Sequence, residues 1–386
     1  MTDTIEVLGS IDARFTPVRD AFIENFTRFG EVGAALSVVI AGRPVIDIWA
    51  GHTDQGRTRP WQHDTLVNVF STTKGLTAMC ALRLVDQGKL DIEAPVAKYW
   101  PEFARAGKGN LPVRHLLGHA AGMAAVRRPL QPADLFDWEV MTATLAEMEP
   151  WWEPGTKHGY HALTFGWLVG EIVRRISGKS VGRFFRDEIA APLDVDAHIG
   201  LSSEHDARVA PVIPAPIDPA QMDLLADILK DPDSLLAKAF TNPPILPEAA
   251  NMEMWRRAEI PAANGHTNAR ALARLYAALA GGDRTRGYTL LTSATTQRAA
   301  QPQTQGHDAI LPMQTSFGLG FMLATPVECF GPNPRMLGHN GMGGSIGFAD
   351  LDAQLGFGYV MNEMHSGYWI IDPRPKALSD ALYACL

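Results

Sequence analysis

The run Val67-Asn-Val-Phe-Ser-Thr-Thr-Lys-Gly-Leu-Thr-Ala78 contains the only S-x-x-K pattern in the chain, formed by Ser71 and Lys74. A serine hydroxyl is a poor nucleophile near neutral pH. It needs a neighbouring proton acceptor, which a lysine becomes once burial lowers its pKa. Apolar residues after Ser71 recur at helical spacing, which predicts that Ser71 opens a helix and shares one face with Lys74. On spacing alone, a serine N-cap followed by a surface lysine is the more common meaning of the pattern, so it needs support from the rest of the chain.

Two later segments contain groups that an acyl-transfer enzyme with this pattern would need. Tyr160 lies in Pro154-Gly-Thr-Lys-His-Gly-Tyr-His-Ala162, after a Pro-Gly turn and before an apolar helical run. This context predicts a position at the edge of an element, facing a cleft. Gly338-His-Asn-Gly-Met-Gly-Gly-Ser345 is a predicted glycine-rich turn that leads into a strand-like run. Glycines allow a backbone to come close to a ligand and to present its N–H groups.

In these segments the chain resembles the serine hydrolases related to class C β-lactamases, most closely the branch called family VIII carboxylesterases. The likeness extends beyond the three motifs and covers most of the chain. It includes five further runs: Asp86-Gln-Gly-Lys-Leu-Asp91, Pro95-Val-Ala-Lys-Tyr-Trp-Pro101, Val113-Arg-His-Leu-Leu-Gly-His-Ala-Ala-Gly122, Glu259-Ile-Pro-Ala-Ala-Asn-Gly265 and Leu337-Gly-His-Asn-Gly341.

The resemblance implies a two-step acyl transfer. Ser71 would be acylated, Lys74 and Tyr160 would manage its proton, and the segment His339-Asn340-Gly341 would close the site. The backbone N–H groups of Ser71 and Met342 are expected to hold the oxyanion. This mechanism needs neither a metal nor an organic cofactor, and the predicted partner is a small-molecule ester.

Two departures from the family pattern bear on the substrate. The family tyrosine is commonly followed at the second position by asparagine, where this chain has Ala162. The third motif of true lactamases is K-T-G, and here His339 stands in the lysine position, which removes a permanent charge that would bind a β-lactam carboxylate. Both departures favour short-chain esters. A β-lactamase, a D-amino-acid peptidase or amidase, and an acyltransferase remain alternatives because they share the acyl-enzyme, and a non-catalytic binding protein is the least favoured.

Composition indicates a large enzyme that is expected to stay in the cytoplasm. The chain has 386 residues, of which 46% are hydrophobic and 20% charged, enough for a substantial core. A net charge of −8 without a basic run argues against a nucleic-acid partner, and no apolar window of membrane length occurs. The N-terminal residues lack the pattern of a signal peptide. Cys80, Cys329 and Cys385 are too scattered for a disulfide framework. Self-association into a homo-oligomer is left open.

Strand-like runs at both ends of the chain enclose a mostly helical middle, which predicts an α+β fold of two regions. One antiparallel sheet flanked by helices would comprise residues 1–60 and 260–386, and a helical region, 61–259, would carry Ser71, Lys74 and Tyr160. The resemblance implies the β-lactamase/transpeptidase-like fold. The predicted strands and closing helix are Ala34 to Ile40, Val45 to Trp49, Phe317 to Leu323, Ile346 to Leu351, Gly356 to Met361 and a helix from Pro375.

Three other patterns suggest different chemistry. Gly343-Gly-Ser-Ile-Gly347 matches the G-x-S-x-G nucleophile elbow, but too little chain follows Ser345 to supply the rest of a parallel sheet. His115 and His119 have the spacing of a zinc pair, without the glutamate of H-E-x-x-H or a third ligand at a sensible distance, so a structural role is favoured. Two histidines, His158 and His161, stand beside Tyr160. They either tune the tyrosine or face solvent in a turn, and the sequence leaves both alternatives open.

Overall fold

The computed structural model describes residues 5–215, 230–243, 247–281, 287–325, 330–366 and 371–386 of the chain. Its largest element is an antiparallel sheet of nine strands, contributed by both ends of the chain. The strands in these ranges are β1 Val7–Ile11, β2 Gly33–Ile40, β3 Arg43–Gly51, β4 Val67–Asn68, β5 Ala197–Ile199, β6 Gly265–Thr267, β7 Thr304–His307, β8 Gln314–Phe317, β9 Met322–Leu323, β10 Met336–Asn340, β11 Ile346–Asp350 and β12 Leu355–Met361.

Most of the helices lie between the two groups of sheet strands in sequence. They are α1 Thr16–Arg28, α2 Thr73–Asp86, α3 Val113–Leu117, α4 Trp138–Glu147, α5 Thr164–Ser177, α6 Val181–Phe185, α7 Ala191–Leu193, α8 Leu235–Thr241, α9 Glu253–Arg257, α10 Ala269–Leu279, α11 Ser293–Ala299 and α12 Pro373–Ala384. Within the described ranges, none of the helices has both the length and the apolar character that crossing a membrane requires.

The large sheet has the order β1-β3-β2-β12-β11-β10-β9-β8-β7. β2 pairs with β3 in the predicted hairpin and with β12 on its other side, so that Ala34 lies opposite both Ala50 and Met361. The ladder between β2 and β12 therefore joins the N-terminal strands to the C-terminal strands. This pairing is the arrangement predicted from strand-like runs at the two ends.

Two strand predictions near the C-terminus were wrong in detail. The predicted single run Phe317 to Leu323 is two short strands, β8 and β9, which pair Phe317 with Met322 across a tight turn. The predicted turn at Gly338 begins only at Gly341, because residues 336–340 form β10 and pair with β9 and β11. A strand with partners on both sides keeps its backbone extended even where the sequence is rich in glycine.

Helices cover both faces of the large sheet. Gly356 and Gly358 of β12 lie against α10 so closely that a Cβ on either would come within 2.3 Å of a main-chain oxygen of that helix. Neighbouring side chains of a strand point to opposite faces, so Phe357 and Tyr359 face away from α10. Phe357 stacks on Phe348 with ring centroids 4.7 Å apart, within the layer of core that α12 covers.

A smaller sheet supports the segment that carries Ser71. Its order is β4-β6-β5, with Asn68 of β4 and His198 of β5 both opposite His266 of β6. β4 ends directly before the S-x-x-K motif, and β6 follows the run from Glu259 to Gly265. The two distant segments are therefore neighbours in space, and together they form the floor of the site.

Candidate active site

Ser71 lies in the turn between β4 and α2. Phe70, directly before it, has a φ of +41°, a left-handed conformation that is costly for a bulky residue and persists only where the surrounding structure fixes it. α2 begins at Thr73, so Ser71 precedes the helix and does not open it as predicted, because Ser71 and Thr72 form a turn. Lys74 lies in the first turn of that helix, within reach of the serine.

The smaller sheet fixes the shape of this turn. The Val69 N–H donates to the Gly265 carbonyl at 2.9 Å, and the Gly265 N–H donates to Thr73 Oγ1 at 2.8 Å. Thr73 Oγ1 also donates to the Phe70 carbonyl at 2.5 Å. Residues on both sides of Ser71 are thus bonded to β6 or to each other, which gives a physical reason for the strained φ of Phe70.

Lys74 is fully buried and its amine has three neighbours. Nζ lies 3.0 Å from Ser71 Oγ, 2.7 Å from the Ala162 carbonyl oxygen and 3.0 Å from the Ala262 carbonyl oxygen. Burial holds the pKa of Lys74 well below its ordinary value of 10.5. A neutral amine has two N–H donors and one lone pair, which matches two carbonyl acceptors and one hydroxyl donor. The arrangement therefore suits a lysine that accepts the proton of Ser71.

Tyr160 lies in an irregular segment before α5, with its side chain almost entirely buried. The Lys74 Nζ lies 4.8 Å from the centre of its ring. Burial raises the pKa of Tyr160, more than the neighbouring Ser71 side chain lowers it. The structure thus brings together the three predicted residues around one hydroxyl, with the phenol in its protonated form.

Asp308 is a part of this site that sequence reasoning missed. It follows β7, and its buried carboxylate accepts the backbone N–H of Tyr160 at 3.0 Å, of Ile310 at 2.8 Å and of Leu311 at 2.9 Å. The Thr315 hydroxyl donates to its second oxygen at 3.0 Å. Aspartates after strands are common at turns, and nothing in the local sequence links this one to a tyrosine 148 residues earlier.

The two histidines beside Tyr160 are buried and do not face solvent. His158 Nε2 lies 2.9 Å from the Thr315 oxygen, and His161 lies between the Gly159 carbonyl, 2.7 Å from Nδ1, and the Met123 N–H, 3.0 Å from Nε2. His161 is therefore neutral with its proton on Nδ1, and burial lowers its pKa to about 4. Both imidazoles hold the segment in shape, and neither is bonded to the tyrosine hydroxyl.

His119 also belongs to the surroundings of Tyr160. Its Nδ1 accepts the His161 N–H at 3.1 Å, and its ring centroid lies 5.2 Å from that of Tyr160 and 4.4 Å from that of Phe317. Burial lowers its pKa well below 6.5. The structural role favoured for the pair His115 and His119 over a zinc site agrees with these contacts. Among the residues that the structure describes, no group of three or more His, Cys, Asp or Glu side chains could hold a metal ion.

His339 lies on β10 with 1% of its surface exposed. Its Nδ1 donates to the Asn340 carbonyl at 2.7 Å, and its Nε2 has no hydrogen-bond partner within the described part of the chain. Burial, together with the nearby Lys74, lowers the pKa of His339 to about 3. The ring lies 6.0 Å from the Tyr160 ring. The site therefore contains a neutral imidazole where lactamases have a lysine.

Gly341 places the end of β10 against the nucleophile turn. A Cβ at this position would come within 2.2 Å of the Val69 carbonyl oxygen and of Ser345 Oγ, so only glycine allows the approach. Ser345 is fully buried, and its hydroxyl donates to the Val69 carbonyl at 3.0 Å. β11 follows directly, so the G-x-S-x-G pattern is not a nucleophile elbow here. Ser345 instead ties the glycine-rich turn to the segment before Ser71.

The two predicted oxyanion donors lie in these two turns. In the described part of the chain, neither the Ser71 N–H nor the Met342 N–H donates to another protein group, so both are free for a ligand. The Met342 side chain is 48% exposed. The turn is held from behind by Arg374, which donates to the Gly343 carbonyl at 2.5 Å and is itself fully buried.

Neither of the two cysteines in the described ranges contributes to this site. Cys80 is buried in α2 and Cys385 is partly exposed at the C-terminus, both as free thiols. Burial raises the pKa of Cys80 well above its ordinary value, which makes its thiol unreactive. Cys329 lies outside the described residues.

Comparison with known proteins gives consistent matches along the whole chain. The family model described as Beta-lactamase matches residues 20–380. Esterase/beta-lactamase LipL of Mycobacterium tuberculosis is 38% identical over 372 residues, an alignment that covers 93% of this chain and 84% of that protein.

Solved structures agree with this assignment. The crystal structure of a family VIII carboxylesterase superposes with a TM-score of 0.92 and 41% identity, covering 99% of this chain and 100% of that chain. A penicillin-binding protein homologue from Caulobacter crescentus superposes with a TM-score of 0.88 and 39% identity, with coverage of 99% and 100%.

Proposed function

The chain belongs to the beta-lactamase family, and we propose that it is a serine esterase that cleaves short-chain carboxylic esters through an acyl-serine on Ser71. The family VIII resemblance and the α+β, β-lactamase-like fold inferred from the sequence are both confirmed by the structural match. One observation supports this proposal above all: Ser71 Oγ lies 3.0 Å from the amine of Lys74, which is fully buried and whose pKa is lowered by burial.

The hydrogen-bond donors and acceptors around Lys74 favour it as the general base. Its two N–H groups are directed to the carbonyls of Ala162 and Ala262, so its lone pair is left for the Ser71 hydroxyl. The alternative base would be a phenolate at Tyr160, stabilised by a charged lysine. The pKa directions of the two groups oppose this, because burial favours the neutral amine and the neutral phenol.

Tyr160 then acts as the acid of the reaction. The protonated phenol lies beside the Ser71 side chain, next to the point where the leaving alcohol departs. It can pass its proton to the alkoxide and then take back from Lys74 the proton that the amine received from Ser71, which leaves both groups neutral in the acyl-enzyme. A positioned acid or base of this kind contributes about two to four orders of magnitude in rate.

The reaction follows in two steps. Ser71 Oγ attacks the ester carbonyl while its proton moves to Lys74 Nζ, and the tetrahedral oxyanion is held by the N–H groups of Ser71 and Met342. Losing one such donor typically costs about 2.7 to 4 kcal/mol. Collapse expels the alcohol with a proton from Tyr160. Water, deprotonated by Lys74, then attacks the acyl-serine and releases the acid by the reverse path.

The charges around Ser71 favour an uncharged substrate. Burial favours the neutral form of Lys74, and His161 and His339 are neutral near pH 7, since their pKa values are lowered to about 4 and about 3. A carboxylate such as that of a β-lactam would find no fixed cation at position 339. A neutral ester has no such requirement, which supports the esterase over the lactamase alternative.

A screen of the purified protein tests this function. We expect turnover of p-nitrophenyl esters with short acyl chains, little hydrolysis of a chromogenic cephalosporin, and labelling of Ser71 by a fluorophosphonate located by peptide mass spectrometry. Labelling without ester turnover would favour a peptidase or acyltransferase, and the absence of both would support a non-catalytic binding protein. Cytoplasmic location and self-association stay predictions.

A further inference from the structure

Asp308 is the one buried carboxylate with a hydrogen bond to the backbone of a proposed catalytic residue. Its side chain is completely buried, and in the described residues no lysine or arginine forms an ion pair with it. Four neutral donors stabilise it instead, three of them backbone N–H groups that belong to Tyr160, Ile310 and Leu311. A carboxylate left without a cation at this depth is expensive to bury, so a role beyond stability is worth testing.

The segment around Asp308 also packs directly on the segment of Tyr160. The Ala309 N–H donates to the His158 carbonyl at 3.0 Å, and a Cβ on Gly159 would lie 3.0 Å from the Ala309 Cβ. Two hydrogen bonds from residues 308 and 309 thus fix the main chain around the tyrosine, one at residue 158 and one at residue 160. Movement of either bond would turn the phenol away from Ser71.

We propose that Asp308 is the positioning residue of Tyr160, holding its backbone so that the phenol hydroxyl faces Ser71 and the leaving alcohol. This inference rests on the proposed esterase function. Asp308 also acts through its charge. Its carboxylate adds to burial in raising the pKa of Tyr160, and so helps to keep on the phenol the proton that the alcohol must receive.

The charges that face Tyr160 from other elements do not replace this effect. Lys74 of α2, His119 after α3 and His339 of β10 surround the ring, and each has a pKa lowered by burial, which favours its neutral form. On its own segment, burial also lowers the pKa of His158 and of His161. His158 Nε2 lies 4.0 Å from the second oxygen of Asp308, and this carboxylate opposes the lowering of the His158 pKa.

A comparison of two esters of butyric acid separates positioning from general loss of structure. p-Nitrophenolate leaves without a proton, whereas the ethoxide of ethyl butyrate must be protonated as it departs. kcat/KM reports acylation for both substrates. Misplacing Tyr160 should therefore lower kcat/KM for ethyl butyrate by about 100-fold and that for p-nitrophenyl butyrate by less than about 10-fold, as expected for loss of a positioned acid.

The variants are Asp308→Ala, which removes all four acceptor contacts, and Asp308→Asn, whose amide oxygen can still accept the three N–H groups. We expect the selective loss of ethyl butyrate hydrolysis in Asp308→Ala. In Asp308→Asn the ratio of the two kcat/KM values should return to within about threefold of the wild-type ratio. Combining Asp308→Ala with Tyr160→Phe should change this ratio no further than Tyr160→Phe alone. Asp350→Asn is the matched control. Asp350 is also buried and accepts the N–H groups of Asp352 and Ala353, at the far end of β11 from the site.

Equal losses of kcat/KM for both esters in folded Asp308→Ala would overturn the proposal. So would an Asp350→Asn variant that changes the ratio of the two kcat/KM values as much as Asp308→Ala does. If Asp308→Ala does not fold, Thr315→Val serves instead, since it removes one donor to the carboxylate and should give a smaller loss confined to ethyl butyrate. An unchanged ratio in that variant would also refute the role. A wild-type protein that cleaves neither ester contradicts the esterase function itself, a separate outcome.

Discussion

Lys74 Nζ donates to the main-chain carbonyl of Ala162 across 2.7 Å, at the position where the related hydrolases commonly carry an asparagine. An asparagine at this position would offer the lysine an amide partner, which Ala162 lacks. The backbone supplies an acceptor instead, and Ala262 supplies a second at 3.0 Å. What the exchange removes is a polar side chain that could bind substrate, so its effect should fall on specificity and not on the base.

Replacing Ser71 by alanine should abolish ester hydrolysis and fluorophosphonate labelling without loss of the fold. Ser345→Ala should keep most of the activity and lose about 1 kcal/mol of unfolding free energy, because it removes one buried hydroxyl bond to Val69. Activity assays and urea denaturation of both variants check this. An active Ser71→Ala protein alongside an inactive but folded Ser345→Ala protein would reverse the assignment.

The activity should fall at low pH through one group, Lys74. The amine accepts the Ser71 proton only when neutral, so kcat/KM is expected to decrease as pH falls through the depressed pKa of Lys74. The pKa values of His161 and His339, about 4 and about 3, lie too low to contribute between pH 5 and 8. Rates for p-nitrophenyl butyrate, followed at the isosbestic wavelength of p-nitrophenol, measure this acidic limb of the profile of kcat/KM against pH.

His158→Gln is the control for that profile, because glutamine can still donate to Thr315 in place of the imidazole. Its acidic limb should match that of the wild type. A limb that disappears in His158→Gln would identify the histidine as the base.

Tyr160→Phe should lower kcat for ethyl butyrate by about two to four orders of magnitude, because the ethoxide must receive a proton as it leaves. Near-normal turnover of that ester by this variant would mean that Lys74 works without the phenol.

The parts of the site that lie in short local motifs could be predicted from the sequence. Ser71, Lys74 and Tyr160 were found because each stands in a recognisable context of turn and helix. The carbonyls that bind Lys74 could not be found this way, because any residue has a carbonyl and their contacts span 88 and 188 residues. Asp308 escaped for the same reason, since only the folded β7–β8 hairpin brings it to Tyr160.

The fold was predictable to a similar depth. Apolar runs at both chain ends predicted the large sheet, while β5 and β6 were missed because strands of three residues carry no periodicity. Residues 338–340 of β10 were assigned to a turn because Gly338 and Asn340 precede further glycines, although pairing with β9 and β11 decides their conformation. The division into residues 1–60 with 260–386 and residues 61–259 stays a prediction.

Short esters should be preferred to cephalosporins at every pH from 6 to 8. The buried His339, with a pKa of about 3, is neutral over the whole range. The ratio of the two kcat/KM values should therefore not depend on His339 ionisation. His339→Lys should improve recognition of the lactam more than ester hydrolysis. A wild-type preference for the cephalosporin would overturn the esterase assignment.

Behind the glycine-rich turn, a buried carboxylate is expected to make stability depend on pH. Glu31 lies 3.4 Å from a guanidinium nitrogen of Arg374 and accepts the Tyr359 hydroxyl. Arg374 is also the residue that binds the Gly343 carbonyl. Burial raises the pKa of Glu31 from 4.5 to about 7, because desolvation outweighs the attraction of Arg374.

The sign of the effect follows from the proton that the folded state retains. Between pH 4.5 and about 7 folded Glu31 keeps a proton that the unfolded chain releases, so its stabilisation is complete below 4.5 and lost as pH rises through 7. At about 1.4 kcal/mol per pH unit the whole change is about 3 kcal/mol. Glu31→Gln cannot ionise, so its unfolding free energy relative to wild type should rise by about that amount from pH 4.5 to 8. Urea denaturation at several pH values measures the difference, with the exposed Glu24→Gln as control. A difference that stays constant with pH would mean that Glu31 is ionised throughout and permanently paired with Arg374.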